Sequence, residues 1–148
     1  MNSEIKVLIF SVNNEYYATD IMEVERIINY EEPTKLPDSP AFIEGVINHA
    51  GSILPVLNLH KRFNLNASFV SEEPKIVVAK EEQGRIGIIV DEVSEVTDVK
   101  TENIEPAPEV VAGISKRYIK GIIKMEDKIV VLLNITTILT EDEKKLLL

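Results

Sequence analysis

The chain contains no cysteine and no tryptophan. Without cysteine there is no disulfide framework, no thiolate nucleophile and no cysteine zinc site. Histidine is scarce too. His49 and His60 are the only two, and neither has a second histidine at ligand spacing or a zinc-type carboxylate pair beside it. Long apolar runs are missing: the longest, Ile129 to Leu133, has five residues, whereas a membrane-spanning helix needs about 20. The opening MNSEIKVLIFSV lacks the basic flank and small-residue cleavage site of an export signal. Cations are in deficit, with 16 Lys and Arg against 25 Asp and Glu and a net charge of −9. Nucleic acid and anionic membrane both require clustered cations, and the compact basic groups here are no more than pairs such as Lys61-Arg62 and Lys116-Arg117. These absences predict a cytoplasmic chain that binds no nucleic acid and does not insert into a membrane.

Catalytic patterns are equally sparse. No serine lies in a nucleophile elbow, and no glycine-rich loop precedes a helix in phosphate-binding order. The pairs Asp91-Glu92 and Glu31-Glu32 belong to no wider ligand pattern, so they read as solvated carboxylates. The expectation is a protein with no catalytic residue, no metal and no cofactor.

What is present is a repeat. FIEGVINHAGSILPVLNLHKRF (42–63) and YIKGIIKMEDKIVVLLNITTIL (118–139) align at an offset of 76, with six identities: Ile43/Ile119, Gly45/Gly121, Ile47/Ile123, Ile53/Ile129, Leu57/Leu133 and Asn58/Asn134. Upstream, KIVVAK (75–80) matches the strand pattern of residues 6–13, and RIGIIVDEVSEV follows YYATDIMEVERI at an offset of 69. The difference places one seven-residue insertion between the halves of the second unit, where Thr97 to Arg117 replaces the shorter Ile28 to Ala41. The paired glycines predict a sharp strand bend or the close approach of a second backbone.

Each unit reads as about five short strands. Asn13-Asn14 signals a hairpin turn, Asp20 is placed to cap a helical turn carrying Ile21, Val24 and Ile28, and Asn58 to cap a short helix. A sheet of this size leaves edges unpaired, so closure into a small barrel is expected, with two barrels packed together. The fold class is therefore mostly β: two five-stranded barrels related by a pseudo-twofold, short helices and a C-terminal helix. The expected division is 15–74 for the first barrel and 5–14 plus 75–139 for the second, strand exchange being open. Residues 140–148 form a helix begun by Thr140 and Glu143 as a capping box. Val24, Ile27, Ile28, Ile76, Val93 and Val96 are more apolar than a sheet with one wet face requires. They line either the joint between the barrels or an exposed groove for a partner.

PAFIEGVINHAGSILPVLNL, GIIVDEVSEV, ENIEPAPE and YIKGIIK followed by IVVLLNI together resemble the CheW-like chemotaxis coupling proteins, from about residue 4 to the C-terminus. The resemblance implies two SH3-like barrels and a scaffold without an active site. It implies two partners: the cytoplasmic tips of methyl-accepting chemoreceptors and the regulatory domain of the histidine kinase CheA. It places the chain at receptor arrays through these partners. Carried over by residue, the receptor groove falls on Val24, Ile76 and Val93 with Gly51 in the turn beside it. The kinase-facing surface falls on Glu105, Pro106, Pro108, Glu109 and Val110. Two departures stand out. Ala50 occupies a position usually held by arginine, and Arg26 one that is often acidic, so Arg26 is expected to supply the groove's cation. The alternatives are a CheW-like domain of a larger signalling protein, against which the starting Met and capped C-terminal helix count, and a small-ligand-binding β-barrel. The latter, like an enzyme, requires a deep pocket with a polar cluster.

Overall fold

The computed structural model describes residues 3–65, 71–111 and 114–148. Thirteen strands are present among them: β1 (Glu4–Val12), β2 (Glu15–Asp20), β3 (Val24–Asn29), β4 (Ile43–His49), β5 (Ser52–Leu57), β6 (Lys75–Glu81), β7 (Gly84–Val90), β8 (Glu92–Lys100), β9 (Ile104–Glu105), β10 (Val110–Val111), β11 (Ile114–Ser115), β12 (Ile119–Lys124) and β13 (Ile129–Leu133). Two α-helices join them, α1 (Leu59–Arg62) and α2 (Glu141–Leu147). Helical turns of three residues occupy Ile21–Glu23, Thr101–Asn103, Lys116–Tyr118 and Ile135–Thr137.

The first sheet runs β3-β6-β7-β5-β4 and the second β8-β1-β2-β13-β12-β9. Under the repeat, β1 to β5 correspond to β6, β7, β8, β12 and β13. The two orders are then the same order, and each barrel takes two strands from one repeat and three from the other. Equivalent parallel pairings, β5 with β7 and β13 with β2, seal the exchange. This moves the expected boundaries: β2 (within 15–74) belongs to barrel two, and β6 and β7 (within 75–139) belong to barrel one. The physical reason is the turn. Val12 pairs with Glu15 and Glu81 with Gly84, so two-residue hairpins hold β1 with β2 and β6 with β7. Asn13 and Asn14 have φ of 50° and 64°, the left-handed pair such a turn demands.

The exchange accounts for Ile76 among the surplus apolar residues, whereas Val24, Ile27, Ile28, Val93 and Val96 lie on the outer strands β3 and β8. Along β1, Val7 and Ile9 fill barrel two with Ala18, Val130 and Leu132, while Leu8, Phe10 and Val12 face the joint. Along β6, Ile76 and Val78 fill barrel one with Ile47, Leu54 and Val56, while Val77 and Ala79 face the joint. Both faces of these strands are buried, so polar-out alternation is lost. The joint is one continuous core, reaching from Phe42 and Leu57 of the first unit to Ile119, Leu133 and Ile138 of the second. Each fully buried Val, Leu or Ile in it contributes about 1.5–3 kcal/mol.

The paired glycines and asparagines of the repeat have structural counterparts. A Cβ at Gly45 would overlap the carbonyl of Thr34, which bridges Val46 by two backbone hydrogen bonds of 2.9 Å. A Cβ at Gly121 would meet Ile104 and the carbonyl of Glu105, where β9 pairs with β12. In each barrel the strand irregularity at the glycine admits a crossing backbone that closes the sheet. The Asn58 amide donates to the Phe42 carbonyl at 2.9 Å and that of Asn134 to Tyr118 at 2.8 Å, two bonds again related by the repeat. Asn58 caps α1 through its side chain at 3.1 Å, whereas the Asn134 carboxamide oxygen accepts from the Thr136 hydroxyl at 2.7 Å. Asp20 caps a turn ending at Glu23, after which Val24 to Asn29 are strand: pairing with β6 outweighs the helical spacing of IMEVERII. The capping box of α2 is formed, with bonds of 2.8 Å and 3.2 Å between Thr140 and Glu143.

Candidate functional site

The expected receptor residues lie on β3, β6, β8 and the β4–β5 turn. Val24 opens β3 and Val93 lies on β8, at equivalent places in the two repeats. Each sits beside a bulge, the register shifting between Val24 and Arg26 against β6 and between Ile9 and Phe10 against β8. A bulge re-aims the side chains next to it. Both valines are half-buried and packed on the joint core, so each offers one flank to solvent. The Lys120 ammonium donates to Glu23 Oε1 at 2.7 Å, tying the turn before Val24 to β12.

The bulge also displaces Glu25, whose carboxylate accepts from Arg85 at 2.9 Å and 3.3 Å. The hydrogen bond from Arg85 holds the Glu25 carboxyl below its ordinary pKa, with the charges of Arg85, Arg26 and His49 acting in the same direction against a smaller burial effect. Arg26 itself is exposed and forms no ion pair among the described residues, leaving its guanidinium presented to solvent. Ile27 and Val96, equivalent under the repeat, are 41 % and 49 % exposed. Ile76 departs from its expected place. Its side chain is 0 % exposed, enclosed within barrel one, because it alternates inward along a strand whose other face forms the joint. It shapes the wall behind β3 and offers no surface.

Ala50 and Gly51 form the two-residue turn between His49 and Ser52, with φ of 51° and 80°. Both are exposed, and Gly51 has open space where a side chain would begin. The left-handed conformation costs an alanine about 1 kcal/mol, and asparagine tolerates it best of the residues with a side chain. Ala50→Asn is therefore expected to raise stability by about 0.5–1 kcal/mol, seen as a higher urea midpoint with an unchanged slope.

The expected kinase-facing residues follow β8. Glu105, in β9, pairs with Ile122 of β12 and lies 3.1 Å from the Lys124 ammonium. Pro106, Pro108 and Glu109 are exposed, while Ala107 between the prolines is buried in the joint core and pins the loop. The Lys116 amide donates to the Glu109 carbonyl at 3.0 Å. Val110 begins the β10–β11 hairpin, paired with Ser115. Of the seven residues that lengthen the second unit, two thus precede β9 and five follow it, in the stretch that holds this hairpin.

One feature was not legible from the spacing of residues. Tyr17 is buried in the joint and donates its hydroxyl to Glu15 Oε2 at 3.0 Å, with His60 Nε2 also at 3.0 Å. The Tyr17 hydroxyl thus lies between Glu15 and His60. Burial, reinforced by the Glu15 carboxylate, raises the Tyr17 pKa well above that of a free phenol. The ring lies against Phe10 and Phe63, within the joint core, so this triad ties β2 to α1. Among the described residues no group of three His, Cys, Asp or Glu side chains converges to hold a metal ion. Both barrel interiors are filled by aliphatic side chains. Four open surface clefts among the described residues measure from about 150 to about 430 Å³, and no helix among these residues is long and apolar enough to cross a membrane.

The CheW-like domain model matches residues 6–143. This chain belongs to the CheW-like family. It is 33 % identical to a chemotaxis protein CheW of Klebsiella aerogenes, with 94 % of this chain and 84 % of that protein covered. It is 32 % identical to a chemotaxis protein CheW of Bacillus subtilis, covering 98 % and 96 %. Among solved structures it superposes on the scaffolding protein TtCheW of Thermoanaerobacter tengcongensis with a TM-score of 0.89 and 33 % identity, over 99 % of this chain and 95 % of that one. The two exchanged sheets are thus the two SH3-like barrels of the CheW-like fold. Val24, Arg26 and the Ala50–Gly51 turn lie on barrel one, and Val93 and the proline loop on barrel two.

Proposed function

We propose that the chain is a non-catalytic cytoplasmic scaffold that couples methyl-accepting chemoreceptors to the histidine kinase CheA. Membership of a family of chemotaxis adaptors over nearly the whole chain carries this reading. The packing supports it. A connector transmits a receptor shift to a kinase only if it moves as one body, and the joint core makes the two barrels a single packed unit.

The receptor helix is taken to lie against Val24 and Val93, with Gly51 and Arg26 at its border; Ile76 acts only as the wall behind. The partly exposed valines can each contribute no more than a fraction of the roughly 1.5–3 kcal/mol of full burial. Association entropy offsets much of that, so the contact is micromolar and reversible. The kinase regulatory domain is taken to dock on Glu105, Pro106, Pro108, Glu109 and Val110. The two prolines restrict that loop before docking and lower the entropy lost on binding.

Arg26 supplies the cation that the family's arginine would provide at Ala50. Arg26→Glu is therefore expected to weaken binding of a receptor cytoplasmic fragment at least tenfold by calorimetry, leaving the kinase domain affinity unchanged. Unchanged affinity of the variant for both partners, relative to the unaltered chain, would remove the role of Arg26. Failure of the unaltered chain to bind either partner would remove the scaffold reading itself.

A further inference from the structure

Helix α2 emerges from barrel two but makes its side-chain contacts on barrel one. Glu143 accepts two hydrogen bonds from Arg62 at 3.2 Å and 2.9 Å, and Glu141 accepts from Gln83 at 3.3 Å. The Lys144 ammonium is 3.1 Å from Glu81, with the two side chains 4 % and 1 % exposed. Glu141 is its other neighbour, at 3.2 Å. Burial disfavours the Lys144 ammonium, but hydrogen bonds and charge from Glu81 and Glu141 outweigh it, and its pKa is raised. Past the helix, Leu148 lies over Gly84, where an added Cβ would be 3.4 Å from it.

The end of this helix reaches the proposed receptor face. Leu147 and Leu148 share one cleft of about 150 Å³ with His49 and Ser52, the residues that flank the Ala50–Gly51 turn. Arg85 lines the same cleft and holds Glu25, the neighbour of Arg26. The residues on either side of the turn therefore border the same cleft as the C-terminal leucines.

The attachment is of a reversible kind. A buried ion pair is weaker than a well-packed apolar pair of the same volume, because water solvates both charges once they separate. A helix of seven residues has little stability of its own, since isolated helices shorter than about 12–15 residues are marginal in water. Leaving barrel one and melting are thus the same event. The buried members of the joint core end at Ile135, Ile138 and Leu139 ahead of the helix, and Leu147 of α2 packs on that core only as a partly buried side chain.

We propose that α2 is a releasable brace for the receptor-facing turn of barrel one: docked through Lys144 and Glu81 it orders the Ala50–Gly51 turn, and undocked it lets that turn move while both barrels stay folded. That the turn faces a receptor rests on the function proposed above; the mechanical coupling does not.

Native-state hydrogen exchange of the full chain in increasing urea tests it. The amides of Lys144 and Leu148, bonded at 2.9 Å and 2.8 Å within the helix, are expected to exchange through an opening insensitive to urea. They should be at least tenfold less protected than amides of β6 and β12. Exchange of α2 only together with those strands would overturn the proposal. Lys144→Met is expected to lower α2 protection at least tenfold further and to speed exchange in the 49–52 turn. The double variant Glu81→Leu with Lys144→Met, which replaces the charges by apolar groups, restores both. An unchanged turn in a Lys144→Met protein whose helix has opened would also overturn it. Should that single variant not fold, the urea series and the double variant still decide. Neither readout uses a receptor, so a negative result here leaves the receptor assignment standing, and the reverse holds.

Discussion

Replacing Gly45 with alanine is expected to destabilise the chain by about 4 kcal/mol, near the upper end of what a single substitution does. The new methyl group would overlap the Thr34 carbonyl oxygen and lie 2.6 Å from its carbon. Those are backbone atoms, and Thr34 is held by two hydrogen bonds to Val46. It cannot yield without opening the bridge that closes barrel one. The φ of 147° at Gly45 is also one that residues with a Cβ rarely adopt. Gly121→Ala offers an internal control. There the atom met first belongs to the Ile104 side chain, which can rotate away, and the Glu105 carbonyl stands at 2.9 Å. The cost should be about 2 kcal/mol. Urea unfolding of the two variants measures the difference, and equal losses would show that backbone crossing is not what the glycines permit.

Arg62→Ala is the second large effect, with an expected loss of about 3 kcal/mol. The guanidinium lies 4.3 Å from the centroid of Phe42 and 5.4 Å from that of Tyr118, two rings related by the repeat. Its outer edge forms a bidentate pair with Glu143, and little of either side chain is exposed. Alanine would remove the stacking and leave the Glu143 carboxylate partly desolvated beside the joint. Arg62→Lys keeps the charge but loses the planar fork, so it should recover less than half of the loss. A double-mutant cycle with Glu143→Gln separates the two contributions. That substitution retains an acceptor for the Thr140 amide, which donates to Glu143 at 2.8 Å. A coupling below about 0.5 kcal/mol would assign Arg62 to aromatic packing alone.

Much of the architecture was readable because repetition marks what duplication retains. Gly45 and Gly121 signalled a sharp strand bend or a close approach of backbones, and the structure supplies the two segments that approach, Thr34 and Glu105. Asn13-Asn14, Asp20, Asn58 and the Thr140–Glu143 pair were legible because turns and caps are local, and a few adjacent residues determine them. The candidate site was less so. Ile27 and Ile76 belong to the same apolar set, yet one is 41 % exposed and the other is enclosed. Burial is decided by what lies across the sheet, and that neighbour is distant along the chain.

By itself, the sequence determined that the chain is duplicated, mostly β and bounded by specific turns and caps, because each of these is encoded in residues close together. Only the tertiary structure decided which repeat contributes which strands to which barrel. The pairing of β2 with β13 joins residues more than a hundred positions apart, Ala18 with Leu132. Hydrogen bonds between backbones carry no side-chain signature, so nothing local distinguishes an exchanged strand from one that stays within its own repeat.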